Sequence, residues 1–192
     1  MKNQLKIICF FLEHKGESFS INSIAKKLKF NYRIAFEEVK RLAAEKIISL
    51  KKFGNANQCR FNYFLNEKVF LAENHRKKIL LKNKNLLILY QRLAEINPPF
   101  FIFLVFGSYS RGKPQKHSDV DFCLIADDEK ISLRIEQILR TFPSETHLLK
   151  FTSKDFLSML KTTEPNVGKE IMLNNVLLKG MENFYELINY AR

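Results

Sequence analysis

The sequence predicts an α/β (α+β) protein with two domains, one basic and mainly helical and the other built on buried strands. The charge distribution predicts the division, because residues 1–98 carry 20 Lys and Arg against 8 Asp and Glu, whereas residues 99–192 carry 12 of each. All five Asp residues lie in the second part, and Pro98-Pro99 marks the change. We therefore expect domains at 1–66 and 99–192, joined by a helical linker at 67–98.

The composition is that of a folded globular protein. Hydrophobic residues make up 46% and charged residues 27% of the 192 positions, enough to build real cores. The longest apolar stretch, 100–106, falls far short of the roughly 20 residues that cross a bilayer, and the opening residues lack the apolar region of a secretory signal. We expect a soluble, cytoplasmic protein with no membrane partner.

The three cysteines predict neither a disulfide framework nor a structural zinc site. Cys9, Cys59 and Cys123 are isolated, odd in number and without C-x-x-C spacing. We expect a reducing compartment and a packing role for all three.

Apolar periodicity in the first domain predicts three helices followed by a hairpin. The helices cover 5–12, 21–28 with Ser20 as N-cap, and a longer run after Asn31, which is also a predicted cap. The inward face of the third helix is expected to comprise Ile34, Ala35, Val39, Leu42 and Ala43. Residues 47–53 and 58–64 read as strands separated by the turn-forming residues 54–57.

This order of elements resembles the winged helix-turn-helix family, whose members mostly bind duplex DNA. The resemblance implies that the third helix enters the major groove while the hairpin, or wing, contacts the backbone. The DNA-binding residues that it implies are Arg33, Lys40, Arg41, Lys51, Lys52 and Arg60. Glu37-Glu38 on the third helix would repel phosphate, so a protein-docking role is the alternative.

The linker is predicted to be helical because residues 67–97 contain no Gly or Pro and repeat apolar residues at helical spacing. Its basic run, His75-Arg76-Lys77-Lys78, could contact phosphate. We interpret it instead as the solvated face of a connecting helix.

Two apolar runs predict the central strands of the second domain. Residues 100–106 form a continuous apolar run that ends at Gly107-Ser108, and a second strand over 119–125 opens with Asp119 and Asp121. Between them we expect a short helical turn, broken by Gly112 and Pro114. Because side chains alternate along a strand, the two carboxylates project to the same face and need a counter-ion.

This combination suits a nucleoside triphosphate with a divalent metal. Mg²⁺ binds one or two carboxylates together with phosphate oxygens of the substrate. Gly107 lets a phosphate approach the backbone closely, and Ser108 offers a hydroxyl and a backbone N–H. A solvated strand end is the simpler interpretation of Asp-x-Asp alone, but it does not account for the Gly-Ser that follows the preceding strand.

Gly107-Ser108, ten intervening residues and Asp119-Val120-Asp121 resemble the signature of the polymerase-beta-like nucleotidyltransferases, and more narrowly of the minimal nucleotidyltransferases of bacteria and archaea. The resemblance covers about residues 100 to 160 and implies a mixed sheet flanked by helices. It implies that Gly107 and Ser108 hold the triphosphate, that Asp119 and Asp121 hold two Mg²⁺ ions, and that Arg111 is a further phosphate contact. The implied reaction is Mg²⁺-dependent transfer of a nucleoside monophosphate, AMP from ATP, to a hydroxyl acceptor.

The family usually has a third catalytic carboxylate on a later strand, and here the sequence departs from that pattern. In the predicted strand 145–151, His147 falls at the expected position and Glu145 lies two residues earlier on the same face. We predict that Glu145 supplies the third carboxylate, while His147 and His117 are alternative proton carriers. The tail from residue 166 is assigned a packing role.

Two functions from different classes remain open at this point. The first is the enzyme, with a nucleoside triphosphate, duplex DNA and a partner protein, such as the helical toxin of antitoxin-type minimal nucleotidyltransferases, as its partners. The second is a DNA-binding transcriptional regulator whose degenerate nucleotidyltransferase domain senses nucleotide. A homodimer is left open under either function.

Overall fold

The computed structural model describes residues 2–54, 56–112 and 118–191. The chain divides into two compact units, residues 1–74 (unit 1) and residues 75–192 (unit 2), which are described separately below. Part of the predicted turn before the second central strand, residues 113–117 with Pro114 and His117, lies outside the described residues. Asn55 of the predicted hairpin turn does so too.

Unit 1 contains the three predicted helices and the predicted hairpin, but the second strand of the hairpin covers 56–61 and not the predicted 58–64. Its elements are α1 (Asn3–Glu13), β1 (Ser18–Ser20), α2 (Ile21–Leu28), α3 (Tyr32–Ala44), β2 (Ile48–Phe53) and β3 (Ala56–Phe61). The strands form an antiparallel sheet in the order β1-β3-β2. The short strand β1 was not predicted, because three residues are too few to show an alternating pattern.

The predicted caps of α2 and α3 are both formed. The Ser20 hydroxyl oxygen accepts from the Ser23 N–H at 3.1 Å, and the Asn31 side chain accepts from the Arg33 N–H at 2.9 Å. Each cap satisfies an N–H that has no partner within its own helix.

The buried face of α3 is narrower than predicted. Ala35, Val39 and Leu42 are fully buried, but Ile34 is 42% exposed, so its predicted inward position is wrong. The buried residues follow i, i+4 and i+7 spacing, and Ile34 lies about 100° around the helix from Ala35.

A buried ion pair ties the end of α1 to α4 (Glu67–Leu80), the helix in which the boundary between the units falls. Lys15 Nζ lies 3.2 Å from Glu73 Oε1, and these side chains are only 1% and 0% exposed. A charge taken out of water is tolerated only when it is paired, so this contact fixes how the helices pack.

Unit 2 is a mixed four-stranded sheet with helices, as predicted. Its elements after α4 are α5 (Lys84–Leu93), β4 (Ile102–Phe106), α6 (Gly107–Ser110), β5 (Val120–Ile125), α7 (Glu129–Leu139), β6 (Thr146–Phe151), α8 (Ser153–Lys161), α9 (Val167–Leu173), β7 (Asn175–Lys179) and α10 (Met181–Ala191). The strand order is β6-β5-β4-β7, in which β5 and β6 are parallel and the other pairs antiparallel.

The core of unit 2 explains why its first two strands read as continuous apolar runs. All five residues of β4 are buried, and the rings of Phe103 and Phe122 stack at 5.3 Å within a cluster that includes residues of α5 and α7. Helix α10 packs near β4 and α8, where Phe156 and Phe184 lie 6.3 Å apart. Strands covered on both faces need apolar side chains at every position.

All three cysteines are buried, which agrees with the predicted packing role. Burial raises the pKa of the Cys59 thiol to about 11 and that of the Cys123 thiol to about 12. Both thiols therefore stay protonated and act as small apolar groups. Within the part of the chain that the structure describes, no helix has both the length and the apolar character needed to span a membrane.

Candidate active site

The site is built where the end of β4 meets the beginning of β5. Phe106 and Asp121 are register partners, so the next residue, Gly107, lies against the Asp121 side chain. Gly107 has a φ of +68°, and a Cβ atom placed there would lie 2.1 Å from Asp121 Oδ2. Only glycine adopts this backbone readily and also leaves room for the carboxylate.

Of the two predicted carboxylates, Asp119 directly precedes β5 and Asp121 is the second residue of that strand. Asp119 is exposed and the Asp121 side chain is 29% exposed, while Val120 and Phe122 between and after them are buried. Partial burial raises the pKa of Asp121, and the negative charges of Asp119 and Glu170 raise it further against the opposing influence of His147. Burial is thus the main cause of the raised pKa of Asp121, and the like charge of Asp119 is a smaller one.

Strand β6 brings His147 beside Asp121. The two residues are register partners in the parallel pair, and His147 Nδ1 lies 3.7 Å from Asp121 Oδ1. The Glu145 carbonyl accepts from the Val120 N–H at 3.0 Å, which places its backbone at the beginning of β5, and the Glu145 side chain is exposed. The role of Glu145 as third carboxylate stays a prediction.

The side chains at this site supply only some of the ligands that a hard cation such as Mg²⁺ needs. Asp119 and Asp121 offer carboxylate oxygens at one strand end, which is the ligand type that Mg²⁺ prefers. Among residues 2–54, 56–112 and 118–191, however, no three His, Cys, Asp or Glu side chains are grouped closely enough to hold a metal ion. The remaining positions around a cation would then be filled by substrate phosphate and water.

The predicted phosphate contacts lie on and just after α6. Ser108 is partly exposed in this helix, and the Ser110 hydroxyl donates to the Gly107 carbonyl at 2.9 Å and reaches the Asn174 carbonyl at 3.3 Å. Arg111 Nη2 lies 3.2 Å from Glu170 Oε1 on α9. Glu170 was not predicted as part of the site, because no local pattern in the sequence links it to a residue so distant in the chain.

In unit 1, the predicted DNA-binding residues fall into two groups. On α3, Arg33 pairs with Glu37 at 3.2 Å, Arg41 pairs with Glu38 at 3.3 Å, and Lys40 Nζ lies 4.5 Å from the centre of the Phe36 ring. The group on the hairpin comprises the exposed residues Lys51, Lys52 and Arg60, for which the described residues provide no ion-pair partner.

The hairpin register divides its cations between two faces. Lys51 pairs with Gln58 and Ser49 with Arg60, so Lys51 and Arg60 project to the same face of the sheet. Lys52 pairs with Asn57 and projects to the opposite face.

Comparison with known proteins finds a family match within unit 2. Residues 91–183 match the model of the family described as "Polymerase beta, Nucleotidyltransferase". This part of the chain is therefore similar to a nucleotidyltransferase domain, as the resemblance of its motif implied.

Two solved structures are also similar to the chain. A mutant of the toxin-antitoxin MntA-HpeT is 15% identical, with 57% of this chain and 83% of that chain covered and a TM-score of 0.39. A toxin-antitoxin crystal structure with AMP-PNP is 17% identical, with the same coverage and a TM-score of 0.36. No curated protein matches the chain significantly.

Proposed function

We propose that the protein is a nucleotidyltransferase that transfers a nucleoside monophosphate, AMP from ATP in the first instance, to a hydroxyl acceptor. The family match over residues 91–183 carries this proposal. The close approach of Gly107 to Asp121 supports it, because it keeps a side chain out of the place where backbone and carboxylate would meet a triphosphate.

In this proposal Asp119 and Asp121 would hold Mg²⁺, which when bound would neutralise triphosphate charge and polarise the phosphoryl oxygens. Gly107 gives the phosphates access to the backbone, and Ser108 donates from its hydroxyl and N–H. Arg111 supplies a charge-assisted donor to the phosphates. These residues bind and orient the nucleotide, so that the acceptor hydroxyl and the α-phosphorus are brought into line.

The transfer itself forms one bond and breaks one. The acceptor oxygen bonds to the α-phosphorus, the bond from that phosphorus to the bridging oxygen breaks, and pyrophosphate leaves. The hydroxyl proton passes to the base, which we assign to the Glu145 carboxylate. His147, 3.7 Å from Asp121, is the alternative acceptor of that proton.

For the first part of the chain we propose a winged helix domain at 1–66 that binds duplex DNA, followed by the linker 67–98 and the nucleotidyltransferase domain 99–192. The order of three helices and a hairpin in unit 1 supports this, as does a charge of 13 Lys and Arg against 5 Glu over residues 1–66. The acceptor that the resemblance suggests is a hydroxyl of a partner protein, such as a helical toxin.

The test is a transfer assay with the full chain, Mg²⁺ and nucleoside triphosphates labelled at the α- or the γ-phosphate, in a lysate of the source cells. We expect label from the α-position alone to become attached to one macromolecule. The Asp121→Asn protein is the matched control and should give no labelled product. Failure of the wild-type protein to bind any nucleoside triphosphate would contradict the proposal.

A second function is favoured by one observation. By the resemblance, His147 occupies the position of the family's third carboxylate, and its Nδ1 atom lies 3.7 Å from Asp121 Oδ1. A regulator that senses nucleotide would bind it without transfer, and binding would change its affinity for DNA. Nucleotide binding without labelled product, together with such a change, would favour the regulator.

A further inference from the structure

Glu170 makes a contact that neither the motif nor the proposed reaction accounts for. Its Oε1 atom lies 3.2 Å from Nη2 of Arg111, although 59 residues separate the two positions. The Arg111 and Glu170 side chains are 52% and 53% exposed, so the pair lies at the surface, where a ligand can reach it.

The backbone that carries Glu170 is held firmly in place. The Asn166 side chain caps α9 by accepting from the Lys169 N–H at 3.0 Å, and it donates to the Met159 carbonyl at 2.8 Å. A Cβ atom at Gly168 would lie 2.8 Å from the Met159 Cβ, so α9 packs closely against α8. Helix α9 is therefore a rigid base for Glu170.

The end of α9 is also tied to the site. Buried Asn175 donates from Nδ2 to the Ile171 carbonyl at 2.6 Å, and its register partner in β4 is Phe106, directly before Gly107. The Ser110 hydroxyl reaches the Asn174 carbonyl. These contacts hold the end of α9 beside the turn that follows β4, which contains Gly107 and leads to Arg111.

We propose that Glu170 is a positioning residue that holds the Arg111 guanidinium beside the Gly107–Asp121 site, ready to donate to the phosphates of the nucleotide. This inference rests on the proposed function. The contact uses one guanidinium nitrogen, Nη2, and within residues 2–54, 56–112 and 118–191 no acceptor faces Nη1 or Nε, so these two can donate to a phosphate. A phosphate can therefore bind Arg111 without displacing Glu170.

Two effects of Glu170 on nucleotide binding oppose each other. Its negative charge repels phosphate, but both side chains are half-exposed and water screens that repulsion strongly. Its hydrogen bond orders a long side chain that otherwise loses its rotational freedom only when the ligand binds. Ordering is the larger effect at an exposed position, so loss of Glu170 should weaken nucleotide binding.

The test measures the Kd of the full chain for a non-hydrolysable ATP analogue with Mg²⁺ by calorimetry, which requires no knowledge of the acceptor. We expect Glu170→Ala to raise the Kd about threefold to tenfold. Glu170→Gln keeps an oxygen acceptor for Nη2 and should restore most of the affinity. Glu186→Ala, on the exposed side of α10, is the matched control and should leave the Kd unchanged.

A double-mutant cycle shows whether Glu170 acts through Arg111. In the Arg111→Ala background, Glu170→Ala should have no further effect on the Kd. An additive effect, or a lower Kd in Glu170→Ala, would overturn the inference while leaving the proposed function intact. If the wild-type protein binds no nucleotide, the proposed function has failed and the inference falls with it.

Discussion

The two units differ in the solvent exposure of their paired charged side chains and in whether the paired charges have opposite or equal sign. In unit 1, Lys15 and Glu73 are withdrawn from water as a pair of opposite sign. In unit 2, Asp119 and Asp121 have the same sign and remain partly open to solvent at the beginning of β5. A buried pair of opposite charges specifies packing, whereas adjacent like charges oppose folding and are useful only when a cation or another ligand binds them.

The largest effect should come from neutralising the carboxylates. We expect Asp119→Asn and Asp121→Asn each to reduce nucleotide transfer at least about 100-fold, because the charge stabilisation supplied through a bound metal is worth several kcal/mol. Both variants should remain folded, since the amide has almost the size of the carboxylate. Transfer rates and circular dichroism of the same preparations provide the measurement.

Asp128→Asn is the matched control for these variants. The Asp128 side chain accepts from the Lys130 N–H at the beginning of α7, and Asn caps helices as well as Asp does. Full activity in Asp119→Asn or in Asp121→Asn would refute the metal assignment for that residue.

Removing one partner of the buried Lys15–Glu73 ion pair should change the stability of the protein rather than its activity. We expect Lys15→Met to lower the free energy of unfolding by about 3–5 kcal/mol, because it removes one partner of a buried ion pair. Denaturant unfolding monitored by circular dichroism provides the measurement. Lys26→Met, at an exposed position of α2, should change the free energy by no more than about 0.5 kcal/mol. Equal stability of the two variants would contradict a structural role for the buried pair.

The sequence was informative where a pattern is local. Helices α1 to α3 show apolar residues at helical spacing and two of them begin at caps, while β4 and β5 are continuous apolar runs because both faces of the sheet are covered. Ile34 was misplaced because an apolar side chain next to a buried stripe looks the same in sequence as one within it.

The residues of the candidate site could be predicted only in part, because only part of the site is formed by a local sequence pattern. The Gly107 turn and the Asp119-Val120-Asp121 strand belong to one short motif, so their proximity could be expected from alternation and strand length. Glu170 reaches Arg111 only through the packing of α9 and β7, which depends on tertiary contacts. Two residues that are brought together only by the tertiary fold show no characteristic spacing in the sequence.

The cations of unit 1 give the next prediction. We expect Lys51→Glu with Lys52→Glu to weaken duplex DNA binding about 10-fold to 100-fold at low salt and to reduce the slope of log K against log salt by about 2. Arg33→Ala should have a smaller effect, because Arg33 is already paired with Glu37. Fluorescence anisotropy over a salt series provides the measurement. Salt-independent binding, or none at low salt, would remove the DNA role and leave a docking module.

A smaller effect should distinguish the two candidates for the base. We expect Glu145→Gln to lower transfer about 10-fold to 100-fold, because the variant loses both a proton acceptor and a negative charge at the site. His147→Ala should lower it less, since neutral His accepts a proton but contributes no negative charge. The measurement is the transfer rate of both variants in the same assay. If only His147→Ala loses transfer activity, the base is His147.

The smallest effect concerns the pH dependence of stability that the Asp121 carboxylate introduces. The pKa of Asp121 is raised in the folded protein, first by burial and then by Asp119 and Glu170, with His147 opposing. As pH rises, the unfolded chain therefore loses this proton before the folded chain does, and the free energy of unfolding falls until the pH exceeds the raised pKa.

Asp121→Asn has no such proton, so its stability relative to the wild type should increase between strongly acidic and neutral pH. The change should be small because the side chain is partly exposed, and thermal melts of both proteins from pH 3 to 7 provide the measurement. A relative stability that moves the other way would show that the carboxylate is stabilised in the fold, and Mg²⁺ would then have no repulsion to relieve.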